Sequence, residues 1–182
     1  MPTFPISQSL ALRTLEVNDV PELYGCLNDN REHLQQWLPR LVENIEVDDL
    51  KRFIESSLEQ EKNGMGFRCG MFKDGALVGI CGYHPINRTN NSVVIGYWLA
   101  ERMQGQGIAT SCVRFLVSYA FENLNINKIC ISMAEGNVAS RAIPERLNFV
   151  NEGIDREADF LHGRYVNYVR YSMLYDEWNR LA

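Results

Sequence analysis

Hydrophobic and polar positions in the first third of the chain predict one strand followed by three helices. Residues 10–15 alternate between apolar and polar side chains, as a half-buried strand does. Asp19 and Glu22 have the spacing of a capping box, which predicts the start of a helix. Pro39 is expected to end a short helix, because the residue before a proline avoids helical geometry. The three predicted helices cover residues 19–30, 33–38 and 47–62.

From residue 67 onward the pattern changes to short apolar runs separated by turns, which is typical of a sheet. Lys73, Asp74 and Gly75 separate two of these runs and predict a hairpin. Asn137 is a favourable N-cap for a late helix. The predicted elements are strands 67–72, 76–83 and 93–99, a helix over 108–123, a strand over 128–133, a helix over 137–146, and strands 149–160 and 165–174.

The order of these elements predicts the fold class. A strand and a helical segment precede three antiparallel strands, and a helix, a strand, a helix and two further strands follow. This order is typical of an α+β domain with a mixed, mostly antiparallel sheet of six or seven strands flanked by helices. No repeat, low-complexity tract or linker divides the chain, so residues 1–182 are expected to form a single domain.

Composition and charge argue against several classes of protein. The net charge of −5 argues against a general nucleic-acid-binding protein, which needs a basic surface. Five cysteines without a C-x-x-C pair, and three histidines without metal-ligand spacing, favour buried thiols and no metal site. No apolar run reaches the ~18 residues that a membrane span needs, and the first residues lack the pattern of a signal peptide. We therefore expect a cytoplasmic protein with neither a membrane nor a nucleic acid as partner.

A glycine-rich turn between the strand 93–99 and the following helix is the strongest candidate for chemistry. Gly105 and Gly107 lie two residues apart, directly before the helix begins. A dinucleotide-binding fingerprint would need a third glycine at Thr110, and a P-loop would need Gly-Lys-Ser/Thr, so neither fits. The residues alone leave two alternatives: a tight turn without a ligand, or a loop whose free amides bind an anion at the helix N-terminus.

Two longer patterns around this turn resemble the GNAT superfamily of acyl-CoA-dependent N-acetyltransferases. Arg102-x-x-Gly105-x-Gly107-Ile108-Ala109 resembles the family's pyrophosphate-binding loop, and a second signature runs from Asn137 through Ser140 to Phe149. The resemblance covers roughly residues 8–176. Three more segments resemble the RimJ/RimL-type enzymes, which modify protein N-termini, ribosomal proteins among them: Leu34-Gln-Gln-Trp-Leu-Pro39, Ile95-Gly-Tyr-Trp-Leu99 and Ala158-Asp-Phe-Leu-His-Gly163.

The resemblance implies acetyl-CoA as the acyl donor and no metal. The glycine turn would hold the pyrophosphate, and the pantetheine arm would insert between the strands 93–99 and 128–134. Arg102, Arg141 and Arg146 would supply local positive charge, unless they are solvated surface charges. The implied donor-binding residues are Leu99, whose amide would polarise the thioester carbonyl, with Arg102, Gln104, Gly105, Gln106, Gly107, Ile108, Ala109, Thr110, Asn137 and Arg141.

The implied chemistry needs a proton donor for the departing thiolate and a proton acceptor for the amine. Many family members have a tyrosine four residues after the position of Ser140, but this chain has Pro144 there. We therefore expect Ser140 to donate the proton; the alternative is a first-turn serine that bonds its own backbone. Asp159 is the expected base, because RimL-like members carry an acidic residue at that place. Asp155 and Glu157, which would alternate with it along a strand, are the alternatives, and an ordinary strand-end carboxylate is the other interpretation.

Trp37, Leu38 and His84 are the expected walls of the acceptor site. The alternatives are core residues for Trp37 and Leu38, and a histidine with satisfied hydrogen bonds for His84. The resemblance implies direct attack of an amine in a ternary complex. The N-terminal α-amine of a protein is the expected acceptor, because its pKa lies ~2.5 units below that of lysine. A polyamine, amino sugar or drug is the alternative acceptor, and a catalytically silent acyl-CoA-binding module is the alternative from another class. The tyrosine-rich strands near the end of the chain raise a homodimer as a further expectation.

Overall fold

The computed structural model describes residues 3–181, and over that range the chain forms one sheet of eight strands flanked by seven α-helices. The strands are β1 (Thr3–Ser7), β2 (Leu10–Thr14), β3 (Arg68–Lys73), β4 (Ala76–Tyr83), β5 (Ser92–Leu99), β6 (Lys128–Ala134), β7 (Val150–Leu161) and β8 (Arg164–Leu174). The helices are α1 (Val20–Asp29), α2 (Arg31–Gln35), α3 (Pro39–Val42), α4 (Val47–Lys62), α5 (Ile108–Asn123), α6 (Val138–Arg146) and α7 (Tyr175–Leu181).

The sheet confirms the predicted α+β class. Its strand order is β1-β2-β3-β4-β5-β6-β8-β7, and the β5–β6 pair is parallel while the other neighbours are antiparallel. The sheet has eight strands instead of the expected six or seven, because β1 adds an edge strand that the sequence pattern does not predict. β1 alternates exposed and half-buried positions and contains Pro5, which lacks an N–H for the ladder and is tolerated at a sheet edge.

Two local predictions were wrong at element boundaries, and one short helix was not predicted. Pro39 begins α3 at its first position, where the missing N–H costs nothing, although it was expected only to end the preceding helix. The capping box lies one turn earlier than expected, between Glu16 and Asp19, and it caps the start of a short 3₁₀ turn before α1. The helix α7, which begins at Tyr175 directly after the last strand, lies beyond the predicted elements.

The strands β5 and β6 diverge along their length. Their parallel pairing runs from Ser92 opposite Lys128 to Val94 opposite Cys130. From there to Leu99, β5 continues its antiparallel pairing with β4, while β6 continues with β8. A gap therefore opens in the middle of the sheet, beside the ends of both strands.

One edge of β5 presents free backbone groups to this gap. The Ala100 N–H donates to the Val78 carbonyl at 2.8 Å, so the even-numbered residues of this stretch bond to β4. Backbone groups alternate in direction along a strand. The N–H groups of Tyr97 and Leu99 therefore point toward the gap.

The two faces of the sheet carry separate hydrophobic cores. The core beneath α5 contains Ile95 and Leu116, and Tyr97 packs against it. The core beneath α1 and α4 contains Leu23 and Ile54, and Trp98 packs against that one. Neighbouring side chains of β5 thus face opposite layers of the protein at the point where the gap opens.

Candidate active site

A cavity of about 1030 Å³ occupies the gap between β5 and β6. Its walls are the glycine turn and the start of α5, the start of α6, and α2 with the residues that follow it. Its lining includes both Tyr97 and Trp98, so it reaches both faces of β5. The cavity is therefore bordered by residues from both faces of the sheet at the point where the strands diverge.

The glycine turn exposes backbone amides at the cavity wall. Gly105 and Gly107 each have a left-handed φ of 74°, and a Cβ at either position would meet no heavy atom within 4 Å. The backbone angle, rather than lack of space, therefore requires glycine. Gly107 is the N-cap of α5, and the Ser111 N–H closes the first turn on the Gly107 carbonyl at 2.9 Å. The N–H groups from Ile108 to Thr110 have no partner within the helix, which suits them to an anionic oxygen.

Most of the predicted donor-binding residues lie on this cavity, but three of them do not line it. The Gln106 side chain donates to the Arg102 carbonyl at 3.2 Å, so these two residues are bonded to each other within the turn and neither is on the lining. The Arg141 Nε donates to the Tyr171 hydroxyl at 3.2 Å, which turns this arginine away from the cavity. The predicted residues on the lining are Leu99, Gln104, Gly105, Gly107, Ile108, Ala109, Thr110 and Asn137.

Positive charge on the cavity lining comes from Arg114 and Arg146. Arg114 lies two turns into α5, and Arg146 is the last residue of α6. Sequence reasoning noted Arg146 as a local charge but missed Arg114. The helical spacing from Thr110 to Arg114 is the signal that could have found it.

Ser140 and Tyr97 form a polar pair across the gap. The Ser140 hydroxyl donates to the Tyr97 Oη at 3.3 Å, and the Tyr97 hydroxyl also lies 3.0 Å from the Ser140 carbonyl. The Ser140 N–H is held by the Asn137 side chain at 3.1 Å, which is the expected N-cap of α6. Burial raises the pKa of Tyr97 to about 12, so its hydroxyl keeps its proton at neutral pH. Sequence reasoning missed Tyr97, although it lies in the quoted segment 95–99.

Asp159 is held by three hydrogen bonds. Its carboxylate accepts from Arg40 at 2.6 Å, from the Tyr168 hydroxyl at 2.9 Å and from the Phe160 N–H at 2.8 Å. Burial by itself would raise the pKa of Asp159, but these bonds outweigh it and lower the pKa. A carboxylate with a lowered pKa is a weaker proton acceptor. The base role of Asp159 therefore stays a prediction, and the Asp159 contacts favour an anchoring role.

The two alternative bases lie apart from Asp159. A bulge in β7 shifts its register between Asp155 and Asp159, and Glu157 in the bulge has a left-handed φ of 53°. The expected alternation of the three carboxylates along one strand face is therefore wrong. The Asp155 carboxylate lies 3.7 Å from Arg170 instead.

The structure places Trp37, Leu38 and His84 together on the cavity lining. Contacts distant in sequence hold the segment that carries Trp37 over the cavity. The His33 ring bonds to the Gln104 side chain at 2.9 Å, and the Gln36 carbonyl lies 3.2 Å from the His162 ring. The expected acceptor walls and the glycine turn therefore border one site.

Among residues 3–181, no group of three or more histidine, cysteine, aspartate or glutamate side chains is placed to hold a metal ion. Over the same part of the chain, no helix has the length and apolar character needed to cross a membrane.

Comparison with known proteins gives a consistent result across family models, sequences and structures. The model of the acetyltransferase (GNAT) domain matches residues 9–150. The putative ribosomal N-acetyltransferase YdaF of Bacillus subtilis (strain 168) is 35% identical over 97% of each chain. The ribosomal-protein-serine acetyltransferase of Escherichia coli (strain K12) is 28% identical over 96% of this chain and 97% of that relative. The structure of the ribosomal-protein α-N-acetyltransferase RimL with coenzyme A has a TM-score of 0.90 at 27% identity, and the match covers 97% of this chain and 99% of that one.

Proposed function

The chain belongs to the acetyltransferase (GNAT) family and is an acetyl-CoA-dependent N-acetyltransferase, and we propose that its acceptor is the N-terminal α-amine of a protein. A ribosomal protein is the proposed acceptor class, because that is the substrate of the Escherichia coli relative. The cavity that reaches both faces of β5 carries the proposal, since it lets the donor and the acceptor approach each other from opposite sides.

The residues around the cavity fit the donor. The unpaired amides from Ile108 to Thr110 suit the pyrophosphate, and Arg114 and Arg146 add positive charge on the same lining. The edge of β5 that faces the gap offers N–H groups to the amides of the pantetheine arm, as a strand edge does for an extended peptide. When bound, the donor supplies a thioester carbonyl, and the chain's own residues supply orientation and proton transfer.

Each residue near the reacting atoms has a proposed role. The Leu99 N–H holds the carbonyl oxygen while negative charge develops on it. The Ser140 hydroxyl gives a proton to the departing sulfur, and Tyr97 keeps that hydroxyl in place. Asp159 anchors Arg40 and Tyr168 at the acceptor side. No covalent acyl-enzyme is needed, so the acceptor nitrogen attacks directly in a ternary complex.

The acceptor proposal depends on how hard the amine is to deprotonate. An α-amine has a pKa of ~7.7–8.0 and lysine ~10.4, a difference of ~3.4 kcal/mol in the cost of the neutral form. The Asp159 carboxylate is held by Arg40, two residues after Leu38, and by Tyr168 on the cavity lining. A site with modest basic strength favours the amine that loses its proton more easily.

A panel of acceptors tests the proposal through thiol release from acetyl-CoA. The matched pair is one lysine-free peptide that begins with serine, with its N-terminus free and then blocked. A blocked peptide with one lysine, spermidine and an aminoglycoside complete the panel. We expect turnover of the free peptide alone. Turnover only of lysine, spermidine or the aminoglycoside would contradict the proposed acceptor, and tight acetyl-CoA binding without any turnover would favour a silent binding module.

A further inference from the structure

His84 differs from the other two histidines in its contacts. The ring of His33 bonds to Gln104 and that of His162 to the Gln36 carbonyl. The hydrogen bonds found among residues 3–181 include none to the ring of His84, which lines the cavity. An unpartnered imidazole at a cavity wall is available to a group that enters the cavity.

The backbone places this ring on the acceptor face of β5. The His84 N–H donates to the Val94 carbonyl at 2.9 Å, which holds His84 beside the diverging end of the strand. A Cβ at Gly96 would lie 3.0 Å from the His84 Nε2, so the ring rests over this glycine. Gly96 shares its strand face with Trp98, whereas Tyr97 faces the opposite layer. His84 and the Ser140–Tyr97 pair thus lie on opposite faces of the strand edge that would bind the donor.

The charges around His84 favour its neutral form. Burial lowers the pKa of His84, and the Arg68 guanidinium on β3 lowers it further. A neutral imidazole can accept a proton, while the carboxylate of Asp159 is occupied by Arg40 and Tyr168. The other titratable side chains on the same cavity lining are His33, Tyr97, Arg114, Arg146 and Tyr168.

We propose that His84, instead of Asp159, accepts the proton that the acceptor ammonium group must lose before its nitrogen attacks. This assignment deepens the proposed function and rests on it. The neutral nitrogen then forms a bond to the carbonyl carbon, and the carbon–sulfur bond breaks. Ser140 gives its proton to the departing sulfur and its oxygen takes up the second proton that the nitrogen loses, while His84 returns the first proton to solvent.

The test is the pH dependence of kcat/KM for His84→Gln with the lysine-free serine peptide. The acid limb of the wild-type profile, where kcat/KM falls as the pH is lowered, is expected to have an apparent pKa below the ordinary value for histidine. His84→Gln should lower kcat/KM about 100-fold at neutral pH. The apparent pKa of its acid limb should rise toward the amine's own pKa of about 8. Asp159→Asn is the matched control and should keep the wild-type limb. An unchanged acetyl-CoA Kd shows that each variant is folded, and His84→Asn replaces His84→Gln if that variant does not bind.

Gly96→Ala gives an independent check, because the added Cβ would force the His84 ring to shift by about a few tenths of an ångström without removing it. It should reproduce part of the loss of His84→Gln and the same upward shift of the limb. The assignment would be overturned if His84→Gln kept the wild-type pH profile, or if only Asp159→Asn lost the acid limb. Either result would leave the proposed function standing. A wild type that turns over none of the amines would overturn both.

Discussion

The donor half and the acceptor half of the active site are built in different ways. The donor half, residues 101–110 with the facing edge of β5, is made of backbone groups fixed by one turn and one helix start. The acceptor half, α2 and α3 with the β7–β8 hairpin, is held by side chains far apart in sequence, as in the Arg40–Asp159 pair at 2.6 Å. Backbone amides are present whatever side chain a residue carries, whereas side-chain contacts can be exchanged singly. The fold can therefore keep its donor and change its acceptor.

The largest effect on donor affinity is expected from Gly107→Val in the donor half. A β-branched residue cannot easily adopt the φ of 74° that Gly107 has, and the strain of ~1–3 kcal/mol would distort the amides that face the pyrophosphate. Acetyl-CoA Kd, measured by calorimetry, should rise about 10-fold to 100-fold.

Gly75→Val is the matched control, because Gly75 has a φ of 84° and equal open space but lies in the β3–β4 hairpin. It should lose stability without losing donor affinity. Equal acetyl-CoA affinity in both variants would contradict the assignment of the glycine turn to the donor site.

Ser140→Ala should leave acetyl-CoA Kd unchanged and lower kcat by about 100-fold, because the departing sulfur loses its proton source. Tyr97→Phe should lower kcat less, since it removes the hydroxyl that positions Ser140. Ser118→Ala, at a helix serine that bonds its own backbone at Arg114, is the control and should be neutral. An unaltered kcat in Ser140→Ala would end the proposed acid role.

The smallest effect is expected from Asp159→Asn in the acceptor half. Arg40 is 75% exposed, so solvent screens the pair and its loss should raise the acceptor KM only about twofold to fivefold. The folded-state pKa of Asp159 is lowered, so its contribution to stability is present above the unfolded pKa and is lost as pH falls through the folded value. Thermal unfolding should therefore separate the variant from wild type at neutral pH and bring the two together in acid. A difference in Tm that persists in acid would contradict this assignment of the stabilising contact.

The same contrast explains what the sequence could predict. The helix start at Gly107 and the N-cap at Asn137 depend on neighbours in the chain, and both were predicted at the right residues. The bulge at Glu157 and the Arg40–Asp159 pair depend on how distant elements pack, and no local pattern contains that information. Tyr97 was missed because its apolar neighbours make it look like an ordinary buried strand residue.

Initial-rate kinetics with acetyl-CoA and the free serine peptide varied together test the central claim most directly. If donor and acceptor meet across the diverging strands, both must be bound before transfer. The double-reciprocal plots should then intersect, and no thiol should be released before the peptide is added. Parallel plots with a burst of thiol from acetyl-CoA alone would show a covalent acyl-enzyme and contradict the account.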